Sequence, residues 1–164
     1  LAALRADIAP LLVSFNEMRA TEGASLHSVL TRQLDDVEGL TTSASALLAQ
    51  RSDDMASNFK AAIARVMDNR SDVDEARLAQ EIAVLAVKSD VIEEIDRLHS
   101  HIAAARELLA SGVPVGRKLD FLCQEFNREA NTLCSKAQNA KLTEIGLALK
   151  VLIDQMREQV QNVE

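Results

Sequence analysis

Apolar side chains recur at intervals of three and four along nearly the whole chain, the spacing that gathers them on one face of an α-helix. At the start, Leu4, Ile8, Leu11, Leu12 and Phe15 follow this spacing, with Pro10 marking a kink or a helix start. Thr21-Glu22-Gly23 reads as a break or cap. From Ser25 to about Asn69 the stripe resumes through Leu26, Val29, Leu30, Leu34, Val37, Leu40, Leu47, Leu48, Met55, Phe59, Ile63 and Val66. Gly39 and Thr41-Thr42-Ser43 weaken its middle without forcing a stop, so one long helix and two collinear ones both fit. Asn69-Arg70-Ser71-Asp72 predicts a turn, with Asp72 as N-cap and Glu75 closing a capping box.

A third helix is expected from about Val73 to Ala110, with Val84, Val87, Val91, Ile95, Leu98 and Ile102 as its stripe. Ser111-Gly112 ends it, and Pro114 lies just beyond as a stop. The fourth runs from about Gly116 to Lys136 and turns Leu119, Leu122, Phe126, Ala130 and Leu133 inward. After a turn capped by Asn139, the last helix starts at Lys141 and uses Leu142, Ile145, Leu149, Leu152, Ile153, Met156 and Val160. Short connections favour antiparallel neighbours. The expected fold is all-α, an elongated helical bundle of long antiparallel helices. Residues 1–70 read as a helical arm and 71–164 as a C-terminal helical domain. The chain opens in mid-pattern, without Met, so a preceding N-terminal domain is expected.

Composition sharpens the exclusion of strand-based folds. The chain of 164 residues is 48 % apolar and 26 % charged, with four Phe, no Tyr and no Trp, and only five Gly and two Pro. Its net charge of −7 argues against a simple electrostatic trap for nucleic acid. The acid is concentrated in residues 71–116, with 9 acidic and 4 basic side chains, where a cation can use it. The longest apolar run, Ile82–Val87, has six residues, against the roughly 20 that cross a bilayer. Cys123 and Cys134 fall eleven positions apart on one predicted helix, a rise of about 16 Å, too far to pair. They read as core thiols of a cytoplasmic, reducing compartment. The helix at 73–110 carries Ile82, Leu85 and Ile92 beside its main stripe, which predicts self-association.

Candidate chemistry sits in polar residues that a plain bundle does not need. The sequence holds no Gly-rich phosphate loop, CxxC, HExxH or GxSxG. On the third helix, Asp90, Glu94, Arg97 and His101 fall at i, i+4, i+7 and i+11 and share a face. Two carboxylates and an imidazole in a row can hold a divalent cation or move protons; the plainer reading is a solvated face of paired charges. His99 sits on another side. On the fourth helix Lys118, Glu125, Glu129, Thr132 and Lys136 gather on one flank, and Asp120, Gln124, Asn127 and Asn131 on the other. The first flank borders the apolar stripe, which predicts that Glu129 is at least half-buried and in want of a cation or donor. An intrahelical Glu–Lys ladder is the alternative, but Glu125–Lys118 and Glu129–Lys136 are seven apart, the wrong spacing for an ion pair. The amides of the second flank can bond a partner helix, a phosphate, a ribose hydroxyl or a base edge.

The stretch Pro114-Val115-Gly116-Arg117-Lys118-Leu119-Asp120-Phe121, continuing through Gln124-Glu125, Asn127-Arg128-Glu129-Ala130-Asn131-Thr132 and Ser135-Lys136, resembles the C-terminal signature of the YicC/YloC family of bacterial endoribonucleases. The closing Arg157-Glu158-Gln159-Val160-Gln161-Asn162 is similar to that family's C-terminus. Lys88-Ser89-Asp90, Glu93-Glu94-Ile95, Arg97-Leu98, Ser100-His101 and Met18-Arg19-Ala20-Thr21-Glu22-Gly23 extend the resemblance upstream. Cys123 and Cys134 depart from the family's hydrophobic or small residues, which bears on packing.

The resemblance implies metal-dependent cleavage of RNA phosphodiester bonds, a divalent cation (Mn²⁺ or Mg²⁺), a longer N-terminal part, and a ring-like homo-hexamer. It implies Glu94, His101, Asp120, Glu125 and Glu129 as metal ligands, with His101, Glu125 and Glu129 as the catalytic set. Arg117, Lys118, Arg128 and Lys136 become candidates for phosphate contact, with Asn127 and Asn131 as further RNA-binding residues. The alternative is a non-catalytic helical module that assembles the oligomer or docks other RNA-processing proteins. Low aromatic content and net acidity favour that alternative; the Glu125/Glu129 flank favours the enzyme.

Overall fold

The computed structural model describes the backbone of residues 2–69 and 91–163, and side chains at 7–50 and 91–163. These residues form α1 (Ala2–Asn69), α2 (Ile92–Ala110), α3 (Gly116–Lys136) and α4 (Ala140–Val160). No strand occurs among the described residues, so the protein is all-α, as the apolar spacing predicts.

Helix α1 runs unbroken through Thr21-Glu22-Gly23, where the sequence predicts a break. The Thr21 hydroxyl donates to the Glu17 carbonyl one turn back, at 2.9 Å, and so bonds into its own helix instead of capping a new one. Pro10 also lies inside α1. The weak middle survives by the same device. Thr41 donates to the Val37 carbonyl at 2.8 Å and Ser43 to that of Gly39 at 2.8 Å, which lets Thr41 be buried with its hydroxyl satisfied. One long helix is therefore present, not two collinear ones.

The turn at 70–72, its capping residues Asp72 and Glu75, and the first part of the predicted third helix, 73–90, lie outside the described residues. Beyond them the boundaries agree with the sequence reading. Helix α2 ends as the Ser111 N–H returns to the Leu108 carbonyl at 3.1 Å, and Gly112 takes φ 66°, left-handed backbone that a side chain would strain. At the start of α4 the Asn139 side chain accepts from the Leu142 N–H at 3.0 Å, the predicted cap.

Helix α1 packs on α2 and α4, and α3 packs on the same two, closing a four-helix bundle. Leu34 and Val37 of α1, Leu98 and Ile102 of α2, Phe126 and Leu133 of α3, and Leu149 and Ile153 of α4 fill its core. Each contributes about 1.5–3 kcal/mol through burial. Glu94 of α2 meets Lys136 of α3 near one end and His101 meets Phe126 midway, so these two helices run antiparallel. Helices α3 and α4 do likewise and approach closely. A Cβ on Gly146 would stand 2.5 Å from Cys134 Sγ and 2.9 Å from a Leu133 methyl. By contrast, residues 7–25 of α1 are exposed throughout, including Ile8, Leu11, Leu12, Phe15 and Met18. Among the described residues no helix is long and apolar enough to cross a membrane.

Candidate metal centre

Two charged side chains are fully buried among the described residues, Glu94 of α2 and Glu129 of α3, at 3 % and 2 % exposure. Both lie on the seam between these helices. They reach it because α2 and α3 each carry an acid beside the apolar stripe that packs them together, so burial of the stripe draws the carboxylate in. A carboxylate taken out of water needs a cation or several donors. Glu94 receives Lys136 Nζ at 2.9 Å, and Glu129 receives Arg97 Nη1 at 3.4 Å. Arg97 also bonds Glu93, one turn back on its own helix. The ladder spacing on α3 thus misleads in one respect: Glu129 does have an ion-pair partner, but it comes from the neighbouring helix. Arg97 shares a face with Glu94 and His101, and that is the signal through which sequence could have found it.

One turn beyond Arg97 on α2 lies the half-buried His101. Its ring meets Phe126 edge-on, with centroids 5.7 Å apart and planes at 81°. His101 Nε2 and Glu94 Oε2 are buried polar atoms with no hydrogen-bond partner, and such atoms are rare enough in folded proteins to call for an explanation. His101, Glu125 and Glu129 each offer one ligand atom, and these atoms all lie within 4.8 Å of one another. Glu125 is half-buried and has Arg128 at 3.8 Å on the same helix.

The structure therefore brings together three of the residues singled out from sequence, His101, Glu125 and Glu129. Glu94 occupies the same seam, held by Lys136, whose ammonium is accordingly turned to a carboxylate. Asp120 lies elsewhere. It faces α4, where Arg157 Nε donates to it at 3.2 Å and Gln124 at 2.9 Å, because its position on α3 is on the opposite flank. Asn127 points the same way and donates to Asp154 of α4 at 2.8 Å; Asn131 is exposed and lies 3.5 Å from the Asn127 side chain. Arg117, Lys118 and Arg128 are exposed. Asp90, the first member of the α2 face, lies outside the described residues.

An imidazole nitrogen and two carboxylates form a donor set for a divalent ion. Carboxylates suit Mg²⁺ and Mn²⁺ alike, and imidazole suits a first-row transition ion, so Mn²⁺ fits the set better than Mg²⁺. The charge around it agrees. Glu93, Glu94, Glu125 and Glu129 face Arg97, Arg128 and Lys136, leaving the seam one negative charge in excess. The cysteines take no part. Burial first, and then the charge of Asp120, push the Cys123 thiol up to about 12 against the opposing pull of Arg157. Both cysteines are free.

Residues 44–164 match the family described as "Endoribonuclease YicC-like, C-terminal". The "Probable endoribonuclease YicC" of Haemophilus influenzae is 40 % identical over 158 residues, covering 94 % of this chain and 53 % of that protein. The "Probable endoribonuclease YicC" of Clostridioides difficile is 35 % identical over 153 residues, covering 93 % of this chain and 52 % of that protein. The chain spans about half the length of the curated relatives it matches.

Proposed function

Because the chain belongs to the YicC-like endoribonuclease family, matching its C-terminal part, we propose that it supplies the cation-holding, acid–base half of an enzyme that cuts internal phosphodiester bonds in RNA. The observation that carries this reading is the convergence of His101 from α2 with Glu125 and Glu129 from α3, ligand atoms within 4.8 Å of one another. His101, Glu125 and Glu129 would hold one divalent cation, Mn²⁺ by preference. The chemistry such a cation would supply there is polarisation of the scissile phosphate and easier deprotonation of water or a ribose hydroxyl.

The protein's own groups do the rest. Phe126 fixes the tilt of the His101 ring, and a ring nitrogen not engaged by a cation can take or return a proton. Arg97 balances the charge of Glu129 and would compete with a cation for it. Glu94, paired with Lys136, ties α2 to α3 at one end of the seam. Exposed Arg117, Lys118 and Arg128 on the same helix offer charge to RNA phosphates. The two free thiols are in keeping with a cytoplasmic enzyme.

A second reading, assembly without chemistry, draws on the exposed apolar side chains of α1 from Ile8 to Met18. A surface of that kind suits a second copy of the chain, as in a hexameric ring. Both roles can reside in one protein, and an assay of the full-length enzyme separates them. RNA should be cleaved with Mn²⁺, not with chelator, and not by Glu129→Gln. If the variant cleaves within a few-fold of wild type and chelator changes neither, the metal reading is wrong. A 3′-hydroxyl product would indicate attack by water, and a 2′,3′-cyclic phosphate attack by the ribose hydroxyl assisted by His101.

A further inference from the structure

At the end of the α2–α3 seam away from Glu94 and Lys136, a groove opens that neither the cation cluster nor the buried ion pairs use. Ala104, Glu107 and Leu108 line it from α2, and Arg117, Lys118 and Phe121 from α3. Phe121 is 60 % exposed, whereas Phe126 on the same helix is wholly buried. More than half of this phenyl ring's surface is thus left to solvent. Its position is informative. Phe121 precedes Glu125 by four residues on α3, about 6 Å along the same flank, and Ala104 follows His101 by three on α2. The groove is thus the direct continuation of the cation cluster, one helical turn further on. That step is close to the length of one extended nucleotide.

We propose that this groove is a nucleotide subsite, in which Phe121 stacks on the base next to the cleaved phosphodiester bond and Arg117 and Lys118 hold the phosphate that follows. This rests on the reading of the chain as part of an RNA-cleaving enzyme. The chemistry of the lining selects the ligand. A flat apolar ring beside two cations suits a base with its phosphate, and stacking accepts any base because each has a π-face. Glu107 is the one acid among the lining residues and stands on the α2 side, across from the two cations. A built subsite also answers the difficulty posed by the net charge of −7. Such a chain does not collect RNA by a broad basic surface, so single strands must be held by a short run of local contacts. The competing occupant of an exposed Phe121 is a second copy of the chain.

The test uses full-length protein with chelator, so that RNA binds without being cut. Phe121→Ala should weaken binding of a single-stranded oligoribonucleotide, followed by anisotropy, by roughly tenfold. Because the side chain is exposed, its removal should leave the unfolding curve in place. Phe121→Trp should restore affinity. Its emission, after subtraction of the parent protein's, should be quenched by the oligomer, and less by one with an abasic nucleotide. These 164 residues contain no Trp, so the added signal reports on the groove. If wild type binds and cleaves RNA while Phe121→Ala binds equally well, the subsite is overturned and the catalytic reading stands. The same holds if Phe121→Ala sediments as a smaller species with its RNA affinity unchanged, which would make Phe121 a subunit contact. If wild type neither binds nor cleaves RNA, both fall.

Discussion

Toward α2, helix α3 presents Glu125, Glu129 and Lys136 to a seam where Glu94 and Glu129 are buried; toward α4, it presents Asp120, Gln124 and Asn127 to Asp154 and Arg157, which are exposed. Both flanks set a carboxylate of α3 against an arginine of the neighbouring helix. On the α4 side water screens every pair, and such pairs contribute little, about 0–1 kcal/mol. On the α2 side the Glu94 and Glu129 carboxylates have lost their hydration, so their partners offset a cost that otherwise reaches several kcal/mol. The two helix pairs are also held differently. Gly146 against Cys134 lets α3 and α4 nest closely with no buried charge, whereas α2 and α3 enclose ionised groups and leave His101 Nε2 and Glu94 Oε2 without partners. Unsatisfied capacity on one flank and its absence on the other is what locates the candidate site.

The comparison breaks most visibly in catalysis. On the proposed function, Glu129→Gln should lower RNA cleavage by the full-length protein by about a hundredfold or more, while Asp120→Asn on the other flank should stay within a few-fold. Equal losses in the two variants, in single-turnover assays, would erase the distinction between the flanks. Stability should divide the same way. Lys136→Met leaves Glu94 buried without its cation and should cost about 3 kcal/mol in denaturant unfolding, against less than about 1 kcal/mol for Arg157→Met.

Between these in size lies the close approach on the α4 side. Gly146→Ala puts a methyl into Cys134 and Leu133 and should cost about 1–3 kcal/mol by overpacking, with cleavage following stability and not the site. A smaller effect sharpens the metal reading. Arg97 is about half exposed, so Arg97→Ala should cost no more than about 1 kcal/mol without cation, yet Mn²⁺ should raise the melting temperature further than in wild type, because the competing guanidinium is gone. An unchanged Mn²⁺ response would show that Arg97 and the cation do not share Glu129.

The least effect concerns Cys123, whose thiol titrates ordinarily at 9.0 and in the fold near 12. Between these values the folded chain keeps a proton that the unfolded chain has lost. The contribution is therefore fully present below about pH 9 and declines as pH rises towards 12. Wild type should lose more stability from pH 8 to 10 than Cys123→Ala does, and alkylation at pH 8 should be slow until the protein unfolds.

Helix identity was legible in the sequence because it is a local property. The spacing of Leu119, Phe126 and Leu133, the stop at Gly112 and the cap at Asn139 depend on residues within a turn or two. The break expected at Thr21–Gly23 failed for a local reason as well, since a hydroxyl that can cap can equally bond back into its helix. Glu129's burial was also readable, from its place beside the stripe. Its partner was not. Whether Arg97 reaches Glu129, Lys136 reaches Glu94, and His101 meets both Glu125 and Glu129 depends on the register of α2 against α3. That register is decided by how Phe126, Leu98 and Ile102 interdigitate across more than twenty residues of chain, a packing choice that no single helix contains. The sequence by itself determined which faces are apolar and which carry acid. The tertiary structure alone decided which acids lose their water together, and so which of them can hold a cation.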